Sequence, residues 1–187
     1  DDTEEDLAEA FNVELAFNDE RPAEVMASGG GMLQESKGLA LSDTCCARTV
    51  MGMKWLWAHM QLLEKAQIEF FLMKEREPFR FGAGPKVHSQ WMMVFPIFVD
   101  GQTVWLRSSV VEQDVPLLMS RSALKLLGAV MDLEGDKIRF NALGVDEKLI
   151  STSSNLVGFY IIEKEFRATE TKPWNKVCFE QMLKDHL

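Results

Sequence analysis

An aspartate and a threonine close a short apolar run, Leu39-Ala40-Leu41-Ser42-Asp43-Thr44. A buried strand of this kind delivers polar residues at its end, where a carboxylate is a candidate for acid-base work. Taken alone, such an Asp is ordinarily a turn or cap residue. Other chemistries have less to stand on. Three histidines (His59, His88, His186) would allow a Ser-His or Cys-His pair, but no nucleophile elbow or comparable context accompanies them. Three cysteines, adjacent Cys45 and Cys46 and distant Cys178, make no disulfide framework. Neighbouring residues of a strand point to opposite faces, so reduced thiols in a reducing compartment are expected. Without CxxC or HxxxH spacing no metal site is expected, and no cofactor motif is seen.

Two further features accompany Asp43. A glycine-rich segment, Phe81-Gly82-Ala83-Gly84, follows about forty residues later. Such a tip can bend over a ligand and approach its backbone closely, although a plain turn has the same composition. A second apolar run, Pro116-Leu117-Leu118-Met119, then leads through Ser120-Arg121 to Leu127-Gly128.

The elements that must position these residues are legible in outline. Leu39–Leu41 reads as a buried strand that delivers polar residues at its end. Residues 53–66 read as a helix, with Leu56, Met60 and Leu63 on one face and Trp55 and Trp57 as core residues. Beyond Pro78 the pattern turns to β. Phe79-Arg80-Phe81 alternates, Gly82 to Pro85 turns, and residues 87–99 form one long or broken strand. Asp100-Gly101 signals a hairpin into a strand over 103–111. Ser120 caps a helix that Gly128 ends. Strands follow at 129–133, 137–140, 147–152 and 157–162, with bends near Gly135-Asp136 and Asn155. Many short strands with one or two helices indicate a small barrel or sandwich. A polar tail, 163–187, carries a final helix over 175–186; packing on the body through Trp174, Val177 and Phe179, or a linker toward further domains, is expected.

Charge divides the chain. Residues 1–25 hold ten Asp or Glu against one Arg, which accounts for the whole net charge of −9. The other 162 residues balance at 19 acidic and 19 basic, with no basic stripe, so nucleic-acid binding is not expected. Residues 1–37 read as an acidic leader and glycine-rich linker; Leu7, Phe11 and Leu15 fit a short amphipathic helix, and a solvated tail is the plainer expectation. No apolar run approaches the roughly 18 residues of a membrane span, and DDTEED is the reverse of a signal peptide's basic start. An intracellular, cytoplasmic protein, or a fragment cut from a longer chain, is expected.

In this order and spacing, residues 38–162 resemble the retropepsin-like aspartic protease domains of retroviruses and LTR retrotransposons, copia-type elements in particular. Leu39 to Cys45 stands where that family has an apolar strand and Asp-Ser/Thr-Gly. Ala47-Arg48-Thr49-Val50-Met51-Gly52 through Trp55-Leu56 is similar to the continuation in copia-like members. Phe79 to Gly84 resembles the flap. Pro116 to Arg121, then Ala123-Leu124 and Leu127-Gly128, resembles the second apolar segment and its helix, and Met131-Asp132-Leu133 and Lys137-Ile138-Arg139-Phe140 continue the likeness. Two positions depart from the pattern: Cys45 and Ser120 each stand where the family has glycine.

The resemblance implies an all-β fold, a small closed barrel of the acid-protease type with one inserted helix and one C-terminal helix closing the barrel. It implies a homodimeric aspartic endopeptidase cleaving extended peptides of its own retrotransposon polyprotein. Asp43 would be catalytic and Thr44 would brace the dyad. Phe81, Gly82, Ala83 and Gly84 would form the flap, with Cys45, Leu118, Ser120 and Arg121 supporting the dyad loop. A catalytically silent dimer that binds peptides, or an unrelated β-rich interaction module, are the alternatives.

Overall fold

The computed structural model describes residues 23–25 and 35–187. The short helix that Leu7, Phe11 and Leu15 would fit lies outside them. The elements in chain order are β1 (Ala23–Val25), β2 (Leu39–Asp43), β3 (Val50–Gly52), α1 (Met53–Lys65), β4 (Phe71–Lys74), β5 (Pro78–Phe81) and β6 (Lys86–His88). There follow β7 (Trp91–Val99), β8 (Gln102–Val111), β9 (Leu118–Ser120), α2 (Arg121–Leu126), β10 (Ala129–Asp132), β11 (Lys137–Phe140) and β12 (Val145–Lys148). The last are β13 (Ile150–Ser151), β14 (Val157–Tyr160), α3 (Lys164–Arg167) and α4 (Lys176–Asp185).

The described structure is mostly β, built on one mixed sheet of eight strands in the order β13-β14-β2-β9-β3-β8-β7-β4. Its frame is the β7–β8 hairpin, paired from Trp91↔Val110 to Val99↔Gln102. Asp100 and Gly101 turn it with φ of 45° and 75°, the left-handed pair that matches the twist of a two-residue hairpin. The expected strand over 87–99 is broken between His88 and Trp91, because Lys86–His88 pairs with β5 and not with the large sheet.

The sheet is not closed into a barrel, and this corrects the expected fold. β13 and β4 are its two edges, each paired on one side only. The run expected as a single strand over 147–152 is divided. Val145–Lys148 joins a separate three-stranded sheet with β10 and β11, which leaves only Ile150–Ser151 for the large sheet. Two residues carry too short a ladder to bridge to β4. Consequently α2 closes no barrel; it drops Ala123 and Leu124 into the core between β9 and β10.

Helix α1 packs with Trp55, Leu56, Trp57, Met60, Leu62 and Leu63 buried among strand residues such as Phe95, Ile97 and Leu106. Both tryptophans are core residues whose indole N–H groups reach carbonyls, Trp55 to Ser36 (3.1 Å) and Trp57 to Lys172 (2.9 Å). Gly52 starts the helix where nothing larger fits. A Cβ there would lie 2.2 Å from the Gln113 carbonyl oxygen. In the tail, α4 buries Phe179 and Leu183, one turn apart, with Trp174 alongside. Val177 points the other way and is 75% exposed, so it takes no part in the packing expected of it. No described helix is long and apolar enough to cross a membrane.

Candidate active site

Asp43 is the last residue of β2, and its strand is built to hold it still. Leu39, Ala40 and Leu41 are fully buried, flanked by β14 on one side and β9 on the other. β9 enters from far along the chain. It runs parallel to β2, with Leu41↔Leu118 and Asp43↔Ser120, and meets β3 antiparallel at Val50↔Leu118. The loop from Asp43 to Thr49 therefore spans two strands between which a third is threaded. Its ends cannot separate without breaking both ladders.

Within that loop Asp43 is 5% exposed, whereas Thr44 and Cys45 are exposed. The Cys45 N–H donates to Asp43 Oδ1 at 3.1 Å, and the Cys46 N–H to the Asp43 carbonyl at 3.0 Å. The aspartate is thus fastened by its own turn, side chain and main chain together. The turn needs no glycine, since no residue from Thr44 to Cys46 has a positive φ. The Cβ of Cys45 costs nothing in backbone strain.

Ser120, the other departure, is fully buried and occupied. Its Oγ accepts from the Ala123 N–H (3.1 Å) and caps α2. Its own N–H donates to Thr49 Oγ1 at 3.1 Å. The Arg121 N–H donates to the Cys46 carbonyl (3.3 Å), while the Arg121 side chain faces outward. Leu118 is buried with Leu39, Leu41, Cys46 and Val50 in a small apolar cluster behind the loop.

The glycine-rich segment forms the expected hairpin, β5 and β6 around Gly82 to Pro85. Gly82 has φ +58°, and a Cβ placed on it would touch nothing within 4 Å, so the tip stands open. Gly82 and Ala83 are exposed; the Gly84 N–H donates to the Phe81 carbonyl at 3.0 Å. Phe79, Phe81 and Val87 pack on the same apolar cluster as Cys46 and Leu118. Partial burial, and then the charges of Arg76 and Lys86, hold the His88 imidazole below its usual pKa. The fold thus gathers Asp43, Cys45, Leu118, Ser120 and Arg121 into one knot and lays Phe81 over its apolar backing. It does not bring the open tip, Gly82 to Gly84, down onto that knot.

Two ties between loop and hairpin rest on residues to which the sequence reading gave no role. Arg48, 5% exposed, donates from Nη1 to the Pro78 carbonyl (3.1 Å), pairs with Glu77 (3.3 Å) and lies over the Phe79 ring. The second tie runs through Glu75. Its Oε1 accepts from Ser89 Oγ (2.7 Å) and Ser109 Oγ (2.5 Å), and its Oε2 pairs with Arg107 (3.1 Å). The Ser109 N–H in turn donates to the Thr49 carbonyl at 3.0 Å. One signal does point to the first tie: a lone arginine set against the apolar run Val50-Met51, since such a charge stays buried only if paired.

Neither a protein-family model nor a curated protein matches this chain.

Proposed function

We propose that the chain is one half of a retropepsin-like aspartic endopeptidase, in which Asp43 meets its copy from a second chain on a two-fold axis. Two carboxylates in contact share one proton and titrate as a pair. The ionised member takes a proton from a water as that water attacks the peptide carbonyl; the protonated member hydrogen-bonds the carbonyl oxygen as charge develops on it. Thr44, outward beside Asp43, would brace the pair against the second copy. The β5–β6 hairpin would cover an extended substrate, with Gly82, Ala83 and Gly84 at the closing tip. The natural substrate would be the polyprotein of a copia-type retrotransposon.

The observation that carries this reading is a buried carboxylate on a strand-threaded loop that Arg48 and Glu75 tie to a glycine-tipped hairpin. Incubating the purified protein with a peptide library at about pH 5, beside Asp43→Asn, tests it. Cleavage by the parent and none by the variant is expected, with both dimeric by light scattering. Equal cleavage by Asp43→Asn would remove Asp43 from the mechanism. A dimer that binds peptides without cutting them would favour the silent scaffold, for which Cys45 and Ser120 are the argument.

A further inference from the structure

The hairpin is not a free-standing pair of strands. β1, from the acidic leader, lies along the outer edge of β5 in a parallel register, Ala23↔Phe79, Glu24↔Arg80 and Val25↔Phe81. The three strands form a sheet of their own, in the order β1-β5-β6.

Alternation identifies the groups this edge offers. The Ser89 N–H donates to the Glu77 carbonyl at 2.8 Å, which makes 77 and 89 a closely bonded pair in the register that continues Pro78↔His88 and Phe79↔Val87. Residues 77, 79 and 81 therefore turn their backbone groups toward β6, and 78, 80 and 82 turn theirs outward. Pro78 has no N–H, and its carbonyl already accepts from Arg48. The first outward residue with both a donor and an acceptor to give is Arg80, and β1 is centred there. An unpaired strand edge of this kind is a template for an extended peptide, and here a peptide of the chain's own is on it.

We propose that the outer edge of β5 is a strand-addition site for extended peptide, and that the chain's own Ala23–Val25 fills it in the resting protein. The leader then competes with any peptide that needs the same edge. Only nine residues, 26–34, separate Val25 from the body at Glu35. Tethering on so short a link holds β1 at an effective concentration of about millimolar, so even a three-residue strand competes well. Charge adds to this: residues 1–25 carry a net −9, and the exposed side chains of the hairpin include Arg80 and Lys86, with exposed Arg76 just ahead of it. Salt weakens such attraction between exposed charges, so rising ionic strength loosens the leader. The strand-addition site stands on backbone pairing alone; its inhibitory consequence rests on the protease reading.

The experiment uses the full chain carrying Asp43→Asn, which removes self-cleavage, with and without Val25→Pro. Proline at 25 deletes the N–H that the parallel register directs at the Arg80 carbonyl. Backbone hydrogen exchange should show the Arg80 amide protected in the parent. In the proline variant it should exchange roughly tenfold faster or more, while β7 and β8 amides stay unchanged as the control for folding. A labelled synthetic peptide of residues 19–29 should bind the proline variant more tightly than the parent, and the parent's affinity should rise with salt. An unprotected Arg80 amide in the parent, or one indifferent to Val25→Pro, overturns the proposal. If Arg80 behaves as expected and the active chain cleaves nothing, the strand site stands and the protease reading falls.

Discussion

His59 should make this fold acid-labile. The imidazole sits on α1, 2% exposed, stacked on Trp55 at 4.6 Å between ring centroids and edge-on to Phe95 at 5.5 Å. Its Nδ1 has no hydrogen-bond partner among the described residues. Burial lowers its pKa from 6.5 to about 3, so the folded state keeps it neutral. Well above pH 6.5 neither folded nor unfolded chain protonates it and no penalty arises. Between the two pKa values only the unfolded chain takes the proton, so stability falls as pH falls through that window. The slope approaches about 1.4 kcal/mol per pH unit, giving a loss of about 2 kcal/mol between pH 7 and pH 5 and roughly 4–5 kcal/mol by pH 3. Against a typical total of about 5–15 kcal/mol, that is enough to truncate the acid limb of any activity profile. Urea unfolding at pH 7 and pH 5 should be compared for Asp43→Asn with and without His59→Phe, which keeps a flat ring between Trp55 and Phe95. The phenylalanine variant should lose most of the pH 7-to-5 difference, whatever its absolute stability. If both proteins weaken equally, His59 is not the group that titrates. A shift of the assigned His59 ring signal in the folded state between pH 7 and pH 5 would refute the reasoning directly.

The ties around Asp43 can be cut one at a time. Arg48→Ala removes a buried guanidinium from the Pro78 carbonyl and from Glu77. Losing such charged hydrogen bonds should cost about 2–3 kcal/mol in urea unfolding and speed amide exchange in β5 and β6. A variant as stable as the parent, with unchanged exchange, would show that Arg48 does not anchor the hairpin. Ser120→Ala removes the cap from α2 and should cost about 1 kcal/mol, whereas Ser120→Gly should cost only a few tenths, because glycine is itself an acceptable cap. Equal urea midpoints for the alanine variant and the parent would mean that the hydroxyl matters for something other than the helix.

Local chemistry makes several elements legible on its own. The apolar run into Asp43, the helix with Leu56, Met60 and Leu63, the Asp100-Gly101 turn and the Ser120 cap all stand where their residues place them. Each is set by residues within a few positions of one another, through side-chain period, φ preference or capping. The strand Phe71–Lys74 carries no comparable mark, since its alternation is too short to stand out beside a helix end. Val177 has the apolar character of a packing residue, but the helical phase that Phe179 and Leu183 impose turns it to solvent.

The residues and their local order thus settle an inventory: a mostly β chain, an aspartate at a strand end, a glycine-tipped hairpin, and an acidic leader ahead of a charge-balanced body. How these parts meet is a property of the folded chain. Folding threads β9 between β2 and β3, brings Arg48 and Glu75 under the hairpin, divides residues 145–151 between two sheets so that no barrel closes, and lays β1 on β5. The difference is one of range. Period, capping and turn preference act over a few residues. A ladder between distant segments, such as Ala23 with Phe79 or Leu41 with Leu118, is chosen by which edges remain unpaired once the rest of the chain has packed.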